Sequence, residues 1–243
     1  MTSTTPRTIA IMQPTYLPWI GYFDMIDRVD TFVFLDSVQF ASRSWQQRNR
    51  VKGPQGECWL VVPVLSKGRR DQTIEQVEID TTQAIAEKHL KAISLYYRKT
   101  PHFAAYFEDL SALYRKNHRR LADLNIELIL WLCTRFGIQT PTLRSSTLPV
   151  EGKKTELLVS ICKSLKAEHY LSAEGSRQYI EENNLFKTHG IGLSYHSYNH
   201  PPYRQLYGAF LPYMGALDLL FNEGPASLAV IQSGRTAATA LSQ

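Results

Sequence analysis

The sequence has few cysteines and no long apolar segment. Its three cysteines, Cys58, Cys133 and Cys162, are widely spaced and form no CxxC pair. An odd number at this spacing argues against a disulfide framework and against a zinc site. No stretch approaches the roughly 20 uninterrupted apolar residues that a membrane-spanning helix needs. We therefore expect free cysteines that pack in the interior, no metal site and no membrane span.

Charge of one sign is only slightly in excess. Lys and Arg number 27 against 22 Asp and Glu, so the 243 residues carry a formal net charge of +5, and 44% of them are hydrophobic. Disordered chains combine low hydrophobicity with high net charge, so this composition predicts a folded protein with a substantial core. Residues 1–7 are polar and lack the pattern of a signal peptide, which predicts a cytoplasmic location.

The start of the chain has the alternation that is typical of a βαβ unit. An apolar strand is predicted over 8–12, a helix over 21–26 and a second strand over 31–36. Such units normally build a parallel sheet with right-handed crossovers. This pattern predicts an α/β fold with a mostly parallel, Rossmann-like sheet.

The rest of the chain continues this pattern around a helical insertion. Between 82 and 136 apolar residues recur at helical spacing, which predicts a helical insertion within a single α/β domain over 1–243. Further strands are expected over 57–64, 76–79, 168–172 and 190–198, and further helices over 155–165, 177–182, 216–222 and after Pro225.

The loop after the first strand is the leading candidate for ligand binding, because ligands of parallel α/β sheets bind beyond the carboxyl ends of the strands. It offers Gln13, Tyr16, Gly21 and Tyr22. Its arrangement resembles the HIGH-type nucleotidyltransferase fold, in which a His-x-Gly-His turn opens onto a helix. Residues 19–22 correspond to that turn and keep its glycine, but Trp and Tyr replace the two histidines. The resemblance implies the fold, whereas the missing imidazoles argue against adenylyl transfer. A turn that only packs on the sheet is the alternative.

The segment 36–52 is rich in side chains that bind anions and aromatic rings. Asp36 ends the second predicted strand, where a carboxylate can hold an amine or hydroxyl, and we predict that it takes part in catalysis. Basic, amide and aromatic residues follow that can hold a phosphate and stack on a ring. These predicted substrate-binding residues are Gln39, Arg43, Trp45, Arg48, Asn49 and Lys52. A solvated basic hairpin is the alternative.

Two histidines are candidates for a general base toward an amine or hydroxyl nucleophile. His89 follows Lys88 on a predicted helix, where a surface or core histidine is the alternative. His200 lies in a loop beyond a predicted strand, close to Tyr203 and Gln205. We predict that both histidines are catalytic and that the other three residues bind substrate.

Two further polar clusters are predicted to bind substrate. Ser172, Glu174 and Tyr179 surround a predicted strand end, where the N-terminus of the following helix can bind an anion or can simply be capped. Asp218 and Asn222 lie four residues apart on a predicted helix and so share one face. That face can hold an amino group, or the two residues can serve the end of the helix.

Several segments together resemble the WbqC-like protein family. The most specific is Met12–Asp24, and the others span nearly the whole chain: 36–40, 43–50, 88–89, 170–172, 200–205 and 217–224. Genes of this family occur in clusters for O-antigen and other surface polysaccharides, and a role as a glycine transferase has been suggested for it. The resemblance thus implies acyl or aminoacyl transfer in the synthesis of such molecules.

We therefore predict an enzyme that transfers an acyl or aminoacyl group, glycyl included, to an amino or hydroxyl group of a sugar nucleotide or related metabolite, in surface-polysaccharide or secondary biosynthesis. The donor is left open among an aminoacyl-tRNA, an acyl thioester and an amino acid with ATP. A small phosphorylated substrate is the expected partner, with a carrier protein or a charged tRNA as further partners. Two other functions remain: a nucleotidyltransferase or ATP-dependent ligase that uses the 13–22 loop, and a non-catalytic scaffold for polysaccharide enzymes.

Overall fold

A six-stranded sheet organises the fold in the computed structural model, which describes residues 6–69, 71–236 and 239–240. Residues 1–5, most of the polar stretch on which the cytoplasmic location was predicted, lie outside the described part. The described strands are β1 (Thr8–Met12), β2 (Thr31–Phe34), β3 (Arg48–Gly53), β4 (Gly56–Val61), β5 (Thr142–Arg144), β6 (His169–Ala173), β7 (Gly192–His196) and β8 (Thr239–Ala240). Across the sheet their order is β5-β2-β1-β6-β7-β8. β3 and β4 form a separate antiparallel hairpin.

The five strands from β5 to β7 all run parallel, and β8 pairs antiparallel with β7. Counted in chain order among the sheet strands, the arrangement is 3-2-1-4-5-6, which is the strand order of the Rossmann fold. The prediction of an α/β protein with a parallel, Rossmann-like sheet is confirmed.

Helices cover both faces of the sheet. The described α-helices are α1 (Ile20–Asp27), α2 (Ile85–Tyr97), α3 (Phe103–Arg115), α4 (Leu121–Phe136), α5 (Thr155–Ser164), α6 (Arg177–Glu181), α7 (Leu185–Thr188), α8 (Leu217–Glu223) and α9 (Ser227–Ser233). None of those in the described part of the chain has the length and apolar character that crossing a bilayer requires. α2 to α4 form the predicted helical insertion between β2 and β5, which also contains the β3–β4 hairpin.

Alternating side chains of β1 divide the core into two parts. Ala10 packs into the larger cluster, together with Phe23 and Leu128, whereas Ile9 and Ile11 pack into the smaller one, which includes Ile161 of α5. Successive side chains of a strand point to opposite faces, so a parallel strand between two helical layers needs apolar residues at almost every position. The apolar sequence of β1 therefore places it at the centre of the sheet.

Two strand predictions differ from the structure. Residues 76–79 do not form a strand, because Ile74–Gln76 is a 3-10 turn whose Gln76 side chain accepts a hydrogen bond from the Thr73 N–H at 3.1 Å. The strand expected over 57–64 ends at Val61 and pairs with β3, so it belongs to the hairpin and not to the sheet. Cys133 and Cys162 are buried, which raises the pKa of each thiol to about 12.

Candidate functional site

The strand order places a crevice between β1 and β6. The connections after these two strands lie on opposite sides of the sheet, so a space opens beyond their carboxyl ends. A cleft of about 530 Å³ occupies this position, and we call it the switch-point cleft. Its lining includes Met12, Trp19, Tyr22, Arg177, His196 and Tyr198.

A second cleft lies next to the switch-point cleft. It has a volume of about 380 Å³, and we call it the hairpin cleft because Trp45, Asn49 and Arg50 line it. Met12, Trp19 and Tyr22 line both clefts, so the two clefts are adjacent, and we call these three side chains the shared wall. Two ligands, one in each cleft, would lie next to each other at this wall.

A third, larger cleft of about 810 Å³ lies beyond the ends of β1 and β2. It brings together the predicted residues Gln13, Gln39 and Tyr179 with two lysines, Lys153 and Lys154, before α5. The three clefts lie along the carboxyl ends of the parallel strands, where ligands of parallel α/β sheets bind.

The shared wall depends on the glycine of the first loop. The indole of Trp19 lies directly against Gly21, and a Cβ added there would come within 2.1 Å of the ring. Tyr22 is buried beneath and donates a hydrogen bond from its hydroxyl to the Gln13 carbonyl at 3.1 Å. In this chain Gly21 therefore leaves the space that the indole of Trp19 fills.

A buried carboxylate meets a histidine at the floor of the switch-point cleft. Asp24 lies on α1 among apolar side chains with no exposed surface, and its Oδ2 is 2.8 Å from Nε2 of His196, the last residue of β7. Arg235 donates from its Nε to Asp24 Oδ1 at 2.6 Å, and Arg28 lies 3.7 Å from the same carboxylate. A charge without exposure needs such partners, so α1, β7 and the segment after α9 are fixed to one another here.

The outer face of the β3–β4 hairpin combines guanidinium groups with indoles. Trp45 and Trp59 stack with ring centroids 5.5 Å apart and remain 48% and 43% exposed. Arg48 lies over the Trp59 ring at 4.8 Å, and Arg50 lies over both rings at 5.4 and 5.7 Å. The Nε of Arg50 is buried without a hydrogen-bond partner among the described residues. Large indole surface thus stays open beside two cations and the hairpin cleft.

Amide side chains near the clefts hold the first loop in place. Asn49 donates to the carbonyls of Tyr16 and Leu17 at 3.1 and 2.8 Å, and Gln46 donates to the Gln13 side chain at 2.8 Å. Both donors are buried. The predicted ligand-binding amides of Asn49 and Gln13 are therefore engaged within the protein.

Asp36 is fully buried at the end of β2. Its carboxylate accepts hydrogen bonds from Arg144 Nε at 2.6 Å, from the Ser145 hydroxyl at 3.1 Å and from the backbone and hydroxyl of Ser146 at 2.9 Å each. These contacts join the end of β2 to the end of β5. The predicted catalytic role of Asp36 stays a prediction, and its hydrogen bonds give it a structural role.

His89 is buried with both ring nitrogens occupied. Nδ1 is 2.7 Å from the hydroxyl of Tyr16, which also hydrogen bonds with Tyr114, and Nε2 is 3.1 Å from the Val61 carbonyl. Burial lowers the pKa of His89 to about 4. Lys88, its neighbour on α2, is exposed. A neutral histidine that donates to Val61 and accepts from Tyr16 fits the alternative of a core histidine.

Lys52, Gln205 and Asp218 meet in one buried network. The Lys52 ammonium donates to the Gln205 side chain at 3.0 Å and to the Ala209 carbonyl at 2.6 Å, and Gln205 donates to Asp218 at 2.7 Å. Burial lowers the pKa of Lys52 and raises the pKa of Asp218, while the hydroxyls of Tyr203 and Tyr97 oppose the rise. The sequence-predicted residues do converge here, but they anchor the 200–213 loop to the hairpin and α8.

His200 lies in an aromatic cluster next to the shared wall. It stacks on Trp19 with centroids 6.0 Å apart and contacts the edge of Tyr213 at 5.1 Å. Its Nδ1 donates to the Pro201 carbonyl at 3.1 Å, and its Nε2 is buried without a partner in the described residues. Burial lowers its pKa. His200 thus supports the wall from behind, and its catalytic role stays a prediction.

The remaining predicted residues do not form one cluster. Ser172 is buried in β6, and Glu174 pairs with Arg177 at 2.6 Å beside the switch-point cleft. Arg43 is exposed, and Asn222 is buried and donates to the Asp218 carbonyl at 2.7 Å. Glu174 is therefore the member of this group that lines a cleft.

Sequence reasoning missed several residues that line the clefts or face them. Arg50, Trp59, Arg177, His196 and Asp24 were not singled out for a role. The available signals were an aspartate inside an apolar helix and a histidine at the carboxyl end of a predicted strand. The contact between Asp24 and His196 could not be predicted, because the two residues are 172 positions apart in the sequence.

Comparison with known proteins gives one family and one relative. The sequence model of the WbqC-like protein family matches residues 13–230. The chain is similar to the uncharacterized protein Rv1507c of Mycobacterium tuberculosis (strain ATCC 25618 / H37Rv), with 37% identity over 220 residues, which covers 90% of this chain and 94% of that protein. No solved structure matches the chain.

Proposed function

The chain belongs to the WbqC-like protein family, and from this premise and the geometry of the clefts we propose that it is a group-transfer enzyme. It transfers an acyl group of the aminoacyl class, glycyl included, to an amino or hydroxyl group of a sugar nucleotide or related metabolite. The setting is surface-polysaccharide or secondary biosynthesis in the cytoplasm. The observation that carries the proposal is the wall of Met12, Trp19 and Tyr22 that two clefts share.

Group transfer requires two reactants in contact and in a fixed orientation, which accounts for a large part of the rate gain. Two clefts that meet at one wall supply this arrangement, whereas a simple binding module needs a single cleft. The scaffold alternative leaves the second cleft without a purpose.

The hairpin cleft suits the nucleotide part of the substrate. A nucleobase can stack on the exposed indole of Trp45. The guanidinium of Arg50, which pairs with Glu57 at 2.7 Å, can also donate to a phosphate, and its buried Nε then gains an acceptor. The reactive end of the sugar then reaches the edge of Trp19, where it meets an acyl donor held beside Arg177 and His196 in the switch-point cleft. In this placement Arg50 binds the phosphate, whereas the sequence predicts Arg43, Arg48 and Lys52 for that role.

Nucleotidyl transfer of the HIGH type is the weaker candidate. It would use the 13–22 loop, where the Trp19 ring already fills the space against Gly21 and the loop itself contains no histidine. A rise in melting temperature with ATP and magnesium, without a response to sugar nucleotides, would favour it over acyl transfer.

The proposal is tested with UDP-linked and dTDP-linked amino sugars and three glycyl donors: glycyl-tRNA, a glycyl thioester, and glycine with ATP. We expect one donor to give a product heavier by one glycyl unit in mass spectrometry. Arg50→Leu should raise the KM for the sugar nucleotide about tenfold, equivalent to about 1.4 kcal/mol.

Arg115→Leu is the matched control, because Arg115 is an exposed arginine on α3 that pairs with Glu108. Its KM should equal that of the wild type. The absence of product with all three donors, together with no thermal shift on adding any of the sugar nucleotides, would overturn the proposed function.

A further inference from the structure

Acyl transfer to an amine or hydroxyl needs a group that accepts the proton of the nucleophile. Among the histidines predicted for this task, His89 has both ring nitrogens occupied, and His200 has a buried Nε2 behind the wall. We propose that His196, oriented by Asp24, is the general base of the transfer. This inference rests on the proposed function and names the residue that performs its proton transfer.

The contact with Asp24 determines which nitrogen of His196 is basic. The carboxylate accepts a hydrogen bond at 2.8 Å. In the neutral imidazole, Nε2 therefore carries the hydrogen and donates a hydrogen bond to Asp24. The lone pair then resides on Nδ1, and no hydrogen bond within the described residues occupies that atom. A carboxylate that fixes the tautomer and stabilises the imidazolium is the arrangement by which histidine acts as a base in hydrolases and transferases.

His196 is placed where a nucleophile can reach it. It is the last residue of β7, at the carboxyl edge of the sheet, and it lines the switch-point cleft. Its own exposed fraction is 9%, so the ring is held by its surroundings and stacks on Tyr198 at 5.8 Å. Because the ring is already held in position, it does not have to be ordered before the reaction.

Charges of both signs surround the Asp24–His196 pair. Asp24 contacts Arg235 and Arg28 on one side and His196 on the other, and Asp27 also pairs with Arg235. Across the cleft, Arg177 is paired with Glu174 and Glu181. Asp24 is therefore the carboxylate in contact with the ring, and Arg28 and Arg235 hold it in place.

The transfer proceeds by attack, proton transfer and departure of the donor's leaving group. The acceptor nitrogen or oxygen attacks the carbonyl carbon of an activated acyl ester or thioester, and its proton moves to Nδ1 of His196. The new C–N or C–O bond forms as the C–O or C–S bond of the donor breaks. The leaving alcohol or thiol then takes the proton from Nδ1, which returns the histidine to its neutral state.

His196→Gln removes the base but keeps an N–H that can donate to Asp24. We expect this variant to lose 100-fold to 10,000-fold in kcat, about the share that general-base catalysis supplies, with the KM for the sugar nucleotide changed less than about twofold. His196→Ala should recover part of the rate on addition of imidazole. Asp24→Asn should lower kcat and leave KM near the wild-type value, as expected for a residue that positions the base.

His169→Gln is the matched control. His169 is a half-buried histidine that hydrogen bonds to Ser194 at 2.8 Å. It is the first residue of β6 and lies at the amino ends of the strands, away from the clefts. It should keep the wild-type kcat. Retention of more than a tenth of the wild-type kcat by His196→Gln would overturn the inference while leaving the proposed function intact.

A second readout does not depend on transfer. Diethyl pyrocarbonate modifies accessible imidazole nitrogens, and peptide mapping by mass spectrometry measures the rate at His196. UDP-linked amino sugar should slow modification of His196 and leave His169 unaffected. Equal rates with and without the sugar nucleotide would remove His196 from the ligand site. A wild-type chain that transfers nothing but shows this protection would overturn the proposed reaction and support the position of His196 at the ligand.

Discussion

Asp36 has no exposed surface, and within the described residues the hydrogen-bond partners of its carboxylate belong to the stretch from Arg144 to Ser146. Its position after β2 led us to predict a catalytic carboxylate, since ligands bind beyond strand ends. The same position can serve to close the gap between β2 and β5, whose pairing covers only three residues on each strand. The two roles predict different consequences for one substitution.

Asp36→Asn should destabilise the protein by about 3 kcal/mol, because it leaves the partly buried Arg144 without its buried carboxylate. Asp123→Asn is the matched control: Asp123 pairs with the same arginine at 2.6 Å, but its side chain is 45% exposed, so about 0.5 kcal/mol is expected. Urea unfolding of both variants measures the difference. A stable Asp36→Asn variant that has lost transfer activity would instead support the catalytic prediction.

At the scale of elements, α1 shows how one loop residue shapes both clefts. Trp19 precedes the helix, and its ring covers Gly21 in the first turn. Alanine is the better helix former by about 1 kcal/mol, so helix propensity alone predicts that Gly21→Ala stabilises α1. The contact of 2.1 Å between the added Cβ and the indole predicts the opposite.

We expect Gly21→Ala to destabilise the protein by about 1–3 kcal/mol through overpacking against Trp19. In a Trp19→Ala background the overlap is gone, so the same substitution should cost nothing or stabilise by up to about 1 kcal/mol. Urea unfolding of the wild type, of Gly21→Ala, of Trp19→Ala and of the double variant completes the double-mutant cycle. An equal cost in both backgrounds would show that the indole does not rest on Gly21.

Periodicity predicted the apolar elements and failed on the polar ones. β1, β2 and α5 carry apolar residues at the spacing their structures require, and their bounds agree with the sequence within two residues. β3 lies in the segment 36–52, for which the sequence predicts substrate binding, with a solvated basic hairpin as the alternative. No strand is predicted there, because Arg48–Gly53 has Asn49 and Lys52 at buried positions where a strand normally has apolar residues. Their hydrogen bonds to distant loops, which no local pattern contains, make the burial possible.

The sequence predicts where the candidate site lies better than it predicts which residues line it. The edge of the sheet follows from the βαβ pattern, so Gln13, Tyr22 and Glu174 were expected near a ligand, and each lines a cleft. Which side chains point into the clefts depends on contacts between segments far apart in the chain. His196 illustrates this, because its importance appears only when Asp24 is placed beside it.

At the scale of the molecule, the strand order decides where a ligand can bind. Loops 13–22 and 174–177 both follow strands at the switch point and meet at one edge, while the loops before β2 and β6 lie at the opposite edge. A small cavity of about 280 Å³ between α2 and α4 is separate from that edge. The proposed function thus requires that ligand contact be confined to one side of the sheet.

Hydrogen exchange measured by mass spectrometry tests this requirement on the intact chain. UDP-linked amino sugar should slow exchange of amides in 13–22 and 174–177, because a bound ligand excludes water and restricts loop opening there. Amides in 28–30 and 166–168, at the amino ends of β2 and β6, should exchange at unchanged rates and serve as the internal control. Protection confined to 79–87, which lines the separate cavity, would place the ligand away from the switch point and would contradict the site on which acyl transfer was proposed.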